Sequence, residues 1–317
     1  MPYRANRPRT DHNHRRQSRH KLSSAQGKLR LTLFEVRVTT TYWFPMTQQT
    51  LMTDAGALAL HRHRATADAM FLHNAAADEV QDRMRMVNKS FNSAAIVTGH
   101  APAWAPYFPK ATLIPDNETL ALPVAAHDLV VHAMALHWAN DPVGQLIQCR
   151  RALMPDGLFL SVAFGGQTLH ELRACLGQAE ANVTGGMSPR VAPMADLRDM
   201  GGLLQRAGFA LPVADSQTLK AEYSDIWSLM RDLRAMGETN ALSTRLRRPT
   251  RRAVLNVAAQ LYQDNFASAN GRITATFDLI FLTGWAPAES QPKPLRPGSA
   301  QQRLADALGT GETKLPN

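Results

Sequence analysis

Gly99, Asp116 and the run His137-Trp138-Ala139-Asn140-Asp141 are the residues of this chain whose types and spacing could do chemistry. Gly99 follows the apolar run Ala94-Ala-Ile-Val-Thr98. A missing side chain there lets backbone approach a ligand, or simply lets a strand turn into a helix, and both readings are open. Asp116 closes a second short run, Ala111-Thr-Leu-Ile-Pro115, 17 residues beyond Gly99. A carboxylate at such a strand end can accept the hydroxyl hydrogens of a ribose, or it can be a turn residue beside Pro115. His137, Trp138, Asn140 and Asp141 gather polar and aromatic groups just past another strand end, a composition that favours a binding cleft.

These residues need a scaffold, and the hydrophobic patterning supplies one. Residues 53–92 predict helix, with Thr53 or Asp54 as the cap and Phe71, Leu72, Ala75, Val80, Met84 and Val87 at helical spacing. On that helix His61, His63 and His73 read as surface or structural residues. Strands are expected at 94–98, 111–115, 127–133 and 157–164, with a poorly defined one around 119–122. Two of these, 127–133 and 157–164, are nearly continuous apolar runs, as in strands covered on both faces. Asp141 and Pro142 predict the start of a helix running to Leu153. A later helix, 196–207, ends at Gly208 before a strand near 209–213. The last strand is expected at 275–285, after a mostly helical insertion at about 222–265. The loop Gly165-Gly-Gln-Thr168 could close on a substrate, or Thr168 could cap the next helix. The basic run 245–252 reads as a solvated helix start or as a site for an anionic group. The alternation argues for an α/β, doubly wound parallel sheet.

Composition bounds the rest. The chain has 317 residues, 44% hydrophobic and 19% charged, an ordinary globular balance. No apolar run reaches the ~20 residues a membrane helix needs. The two cysteines, Cys149 and Cys175, are too few for a disulfide framework, so a reducing compartment and a cytoplasmic protein are expected. The net charge of +9 is concentrated at one end: residues 1–45 hold ten Lys or Arg against two acids, whereas the remaining 272 residues hold 25 against 24. Nucleic acid is therefore not the expected partner of the body of the chain. The basic segment 1–45 reads as a disordered extension with Met46 as the functional start, as a transit peptide placing the protein in the mitochondrial matrix, as a phosphate-binding arm, or as a membrane-surface arm. Residues 46–286 are read as the folded domain and 287–317 as a Pro/Gly-rich mobile tail.

Three segments in order, HDLVVHAMALHWANDP (127–142), RRALMPDGLFLSVAFGGQTLHELR (150–173) and GGMSPRVAPMADLRDMGGLLQRAGF (185–209), resemble the type 11 branch of class I S-adenosylmethionine (SAM) methyltransferases. Within it they are similar to the group of the malonyl-acyl-carrier methyltransferase of biotin synthesis and of the methyltransferase-like complex I assembly factor. The resemblance covers roughly residues 53–285. It implies a Rossmann-like sheet of seven strands with the last antiparallel, and SAM as cofactor. The implied cofactor-binding residues are Gly99, Asp116, Ala133, Met134 and Trp138, and His137 is the proton acceptor if the nucleophile is neutral. It also implies a small-molecule or acyl-carrier substrate, or a respiratory complex I subunit handled without methyl transfer. The family's loop D-x-G-x-G-x-G is degenerate here: only Gly99 survives, Ala101 carries a Cβ, Pro102 lacks an N–H, and no acid precedes it. No His-x-Asp/Glu occurs, so the common facial triad for ferrous iron is not evident and no metal is expected.

Overall fold

The computed structural model describes residues 51–292 and Gly309, so the predicted leader and most of the tail lie outside the described residues. The chain opens with α1 (Ala55–His63) and α2 (Phe71–Met86), linked by a short 3-10 turn. Asp54 caps α1 by accepting the Ala57 N–H, so of the two expected caps it is Asp54 that serves. α2 buries Leu72, His73, Ala76, Ala77 and Val80, one face of a 3.6-residue repeat. Phe71 stays exposed, because the inward stripe runs one position later than the large apolar residues suggest.

Four parallel strands follow: β1 (Ala94–Val97), β2 (Thr112–Ile114), β3 (His127–Ala133) and β4 (Leu153–Gly165). The chain continues through α3 (Ala101–Trp104), α4 (Pro142–Ala152), α5 (His170–Thr184) and α6 (Leu197–Ala207). β5 (Ala210–Tyr223), α7 (Ile226–Ala235), α8 (Arg252–Phe266) and β6 (Ile273–Trp285) complete the described fold. The sheet order is β2-β1-β3-β4-β6-β5, with β6 antiparallel to both neighbours. Alternate strand residues divide the core. Ile96, Leu129, Val131, Leu158, Leu160 and Val162 face one helical layer, and Ala95, Val97, Val130, Phe159 and Ala163 face the other. Asp141 caps α4 through the Gly144 N–H, and α6 closes on Gly208 at φ 81°.

Three expectations are corrected. Among the described residues the sheet has six strands, not seven, because residues 119–122 form no strand. Side chains of α4 bond the backbone of residues 117–120 instead. Gln148 Oε1 accepts the Leu120 N–H at 2.8 Å, Gln148 Nε2 donates to the Glu118 carbonyl at 3.0 Å, and Gln145 Nε2 donates to that of Asn117 at 3.1 Å. The strand expected near 209–213 runs on to Tyr223, paired along its length with β6, and α7, α8 and their connection follow over the stretch read as a helical insertion. Thr168 does not cap α5. Its hydroxyl donates to the Gly165 carbonyl at 2.8 Å and accepts the Asp278 N–H at 3.0 Å, while Leu169 sits at the cap position at φ 53°.

Candidate functional site

The strand order reverses between β1 and β3, with β2 on one side and β4 on the other, so a crevice opens beyond their carboxyl ends. Gly99 and His100 leave β1 into it, Asp116 leaves β2, and a 3-10 turn, Leu136–Trp138, follows β3. At the end of β3 Ala133 and Met134 are fully buried in the core. Met134 is held at φ 51° with its N–H on the Val162 carbonyl, a strained backbone that aims the next turn across the crevice. Of the candidate residues, these two pack inward and the other four border the crevice.

The Gly99–Asp116 end of the crevice is occupied by a side chain from α1. Arg62 Nη1 donates to both Asp116 carboxylate oxygens, at 2.8 and 2.9 Å, and each side chain is 11% exposed. The same guanidinium lies against Gly99: a Cβ there would stand 2.2 Å from Arg62 Cζ. Gly99 is therefore required for a close approach, but the approach is made by Arg62. Gly99 and Asp116 suit the ribose end of a nucleoside cofactor in residue type, and Arg62 fills the space that such a group would need.

The middle of the crevice is organised by Glu238, which follows Gly237 after α7. Gly237 has φ 82°, and a Cβ there would meet Arg62 Cα and His100 Cε1 at 3.1 Å, so only glycine turns the chain inward at this point. Glu238 Oε2 accepts the Trp138 indole N–H at 2.8 Å and lies 3.4 Å from His137 Nε2. Oε1 has no hydrogen-bond partner and lies 4.0 Å from His100 Nε2. Burial opposes ionisation of Glu238, but the hydrogen bond and charge of His137, with His73 and Arg62 behind, hold the carboxyl down at about 2. His73, packed on His100 with ring centroids 4.6 Å apart, is pushed down to about 3 by its burial and by the neighbouring His100. Burial lowers His100 as well, against the pull of Glu238.

His73, His100 and Glu238 bring two imidazoles and a carboxylate within 4.8 Å of one another, the donor types of a divalent-metal site. The tautomer argues against that use. Trp104 Nε1 donates to His73 Nδ1 at 3.1 Å. An indole N–H only donates, so neutral His73 keeps its proton on Nε2, the atom facing the cluster. That atom offers a hydrogen rather than a lone pair.

At the Trp138–Glu238 end lies a cavity of about 330 Å³. Phe164, Leu172, Leu176, Leu233 and Phe277 make its apolar wall, and Trp138 and Glu238 stand where it meets the crevice. Its polar wall includes Arg190 and Arg245, which are already paired, with Glu180 at 2.7 Å and Asp54 at 2.9 Å. The basic run thus contributes Arg245 to a rim and Arg247, 68% exposed, to the surface. Thr168 lines the cavity, in a loop tied down by Gly166 N–H to the Ala195 carbonyl and Gln167 N–H to Asp278.

Sequence reasoning missed Arg62, His100 and Glu238, and read His73 as structural. His100 adjoins Gly99 and was within reach. Glu238 is 100 residues from Trp138 and carries no local motif.

The chain is 35% identical over 204 residues to the mitochondrial arginine-hydroxylase NDUFAF5 of Danio rerio, covering 64% of this chain and 63% of the relative. Its identity to the protein of that name from Dictyostelium discoideum is 40% over 184 residues, 58% of this chain and 42% of the relative. The malonyl-[acyl-carrier protein] O-methyltransferase of Methylovorus is 36% identical over 172 residues, 54% of this chain and 55% of the relative. Over the shared region this chain is thus similar both to arginine-hydroxylases and to an O-methyltransferase. It spans less than two thirds of the length of each of these relatives. Among solved structures, the YcgJ protein of Bacillus subtilis overlays with a TM-score of 0.43 at 14% identity, covering 67% of this chain and 99% of its own. No protein-family model matches the chain.

Proposed function

We propose that this protein is a SAM-dependent methyltransferase-like protein whose crevice transfers a methyl group to a small, carrier-bound or protein substrate. The observation that supports it most is the convergence of Gly99, Asp116, His137 and Trp138 on one crevice beside a cavity with a largely apolar wall. When bound, SAM supplies an electrophilic methyl group. In-line displacement at such a carbon needs alignment and a dry surrounding more than a strong base. The cavity wall of Phe164, Leu172 and Phe277 provides dryness, and Trp138, fixed by Glu238, provides a rigid face for alignment. His137 takes the proton of a neutral nucleophile, and a carboxylate substrate needs no base. Asp116 receives the ribose hydroxyls once Arg62 has left it.

A second reading is an assembly factor that handles a respiratory complex I subunit without methyl transfer. The names of the NDUFAF5 relatives and the position of Arg62 on both Gly99 and Asp116 favour it. A mitochondrial location goes with this reading, and a cytoplasmic one with the first. Calorimetric titration of the full chain with SAM separates the two. Micromolar binding that Asp116→Ala abolishes supports methyl transfer. A folded protein that binds no SAM, either as wild type or as Arg62→Met, rules it out and leaves the second reading.

A further inference from the structure

Three buried side chains meet in the middle of the crevice, and each ends in a polar atom with no hydrogen-bond partner among the described residues. The atoms are His73 Nε2 from α2, His100 Nε2 from the loop after β1, and Glu238 Oε1 from the turn after α7. His73 is 1% exposed, His100 5% and the Glu238 side chain 6%. Such atoms are costly to leave unpaired away from water, so their meeting at one point needs a physical account. They do not serve one another. His100 Nε2 stands 4.0 Å from Glu238 Oε1, beyond hydrogen-bond reach, and His73 meets His100 in an edge contact without a hydrogen bond. The frame is also fixed. Trp104 anchors His73 through Nδ1, and a Cβ on Gly237 would stand 3.1 Å from His100 Cε1, so the turn carrying Glu238 is already close-packed on that ring.

The spacing suits a single bridging group. One polar atom from each of the three residues lies within 4.8 Å of the others. Points that far apart share a centre about 2.8 Å from each, an ordinary hydrogen-bond length. The chemistry of the atoms then selects the bridge. Trp104 keeps His73 in the Nε2–H tautomer, so the bridge must accept a hydrogen bond. Glu238 is held ionised by His137, His73 and Arg62, so the bridge must also donate one. A metal cation or an ammonium ion has no lone pair for the His73 proton. A halide has no hydrogen for Glu238 and is repelled by its charge. Water does both, and it serves His100 Nε2 in either tautomer. Three hydrogen bonds are the usual number for a buried water. All three atoms are covered by protein, so the bridge is a small molecule by itself and not a group on a larger ligand.

We propose that one internal water molecule is bound by His73 Nε2–H, His100 Nε2 and Glu238 Oε1. It ties α2, the loop after β1 and the turn after α7 together where their side chains do not bond one another. With Oε1 on this water and Oε2 on Trp138 and His137, Glu238 is anchored at both oxygens. The water site is independent of SAM and of any substrate.

The test is a crystal structure of the full chain, determined once with EDTA and once with cobalt(II). The expected result is one water peak about 2.6–3.2 Å from all three atoms, without an anomalous signal and unchanged by either addition. In solution, 15N shifts of the histidines at neutral pH should show His73 as the Nε2–H tautomer, with a cross-relaxation peak between that proton and water. Glu238→Met removes the acceptor at similar length and should lose both the water and the cross-relaxation peak. No density between the three atoms overturns the proposal, as does a His73 that carries its proton on Nδ1. A water that remains unchanged in Glu238→Met overturns it too, and an anomalous cobalt peak at this point would establish a metal centre instead. Should the variant fail to fold, the wild-type density and tautomer decide alone.

Discussion

The two ends of the crevice are built from the same strand termini and differ in what fills them. At the Gly99–Asp116 end the protein fills the space itself: Arg62 covers the glycine and bonds both oxygens of the acid. At the Trp138–Glu238 end the protein leaves an open cavity and an unpaired carboxylate oxygen. At the first end both charges are paired, although Arg62 Nε and Nη2 have no hydrogen-bond partner, and at the second Glu238 Oε1 has none. A ligand gains little at the first unless Arg62 moves, whereas at the second it meets the apolar wall of the cavity.

The sharpest way to break this contrast is to unbalance the paired end. Arg62→Met strands Asp116 in a nearly buried position and should cost about 3 kcal/mol, read as a fall in the denaturation midpoint. Asp116→Asn in the same chain should restore most of that loss. A fully additive double mutant would show that the pair is not the unit described.

Acid titration sharpens the open end. His73 is held at about 3 when folded and takes up a proton near 6.5 when unfolded. The unfolded chain therefore binds more protons between these values, and His73 lowers stability as pH falls from 6.5 toward 3. Glu238 adds a second loss from about 4.5 toward 2, since its ionised form is the one the folded state favours. The melting midpoint should decline across this range. His73→Asn, which keeps an acceptor for Trp104, should flatten the decline above pH 4.5, and an unchanged slope there would contradict the assigned burial.

The smallest effect is expected at the rim. Arg247 is 68% exposed and shares Asp54 with the better buried Arg245. Arg247→Ala should leave the melting midpoint within about 1 °C, and Arg245→Ala should lower it more.

Much of the scaffold was readable because its signals are local. β3 and β4 are runs apolar enough to be buried on both faces, and Asp141-Pro142 announces α4. The strand expected at 119–122 is absent, and the Leu120 N–H goes instead to the side chain of Gln148, 28 residues away. β5 was underestimated because its outward residues are polar, and only pairing with β6 makes it a strand. Gly99, Asp116, His137 and Trp138 were proposed from strand ends, and they border the crevice. Ala133 and Met134 were placed beside them, and the structure buries both.

The sequence alone determined the alternation of strands and helices, and with it which residues stand at the carboxyl ends of β1, β2 and β3. Only the tertiary structure decided what those residues face. Arg62 meets Asp116 across 54 positions, and Glu238 meets Trp138 across 100. Side chains so distant in the chain share no periodicity or spacing rule. Their charges balance, or remain unbalanced, only after the sheet has brought the loops together.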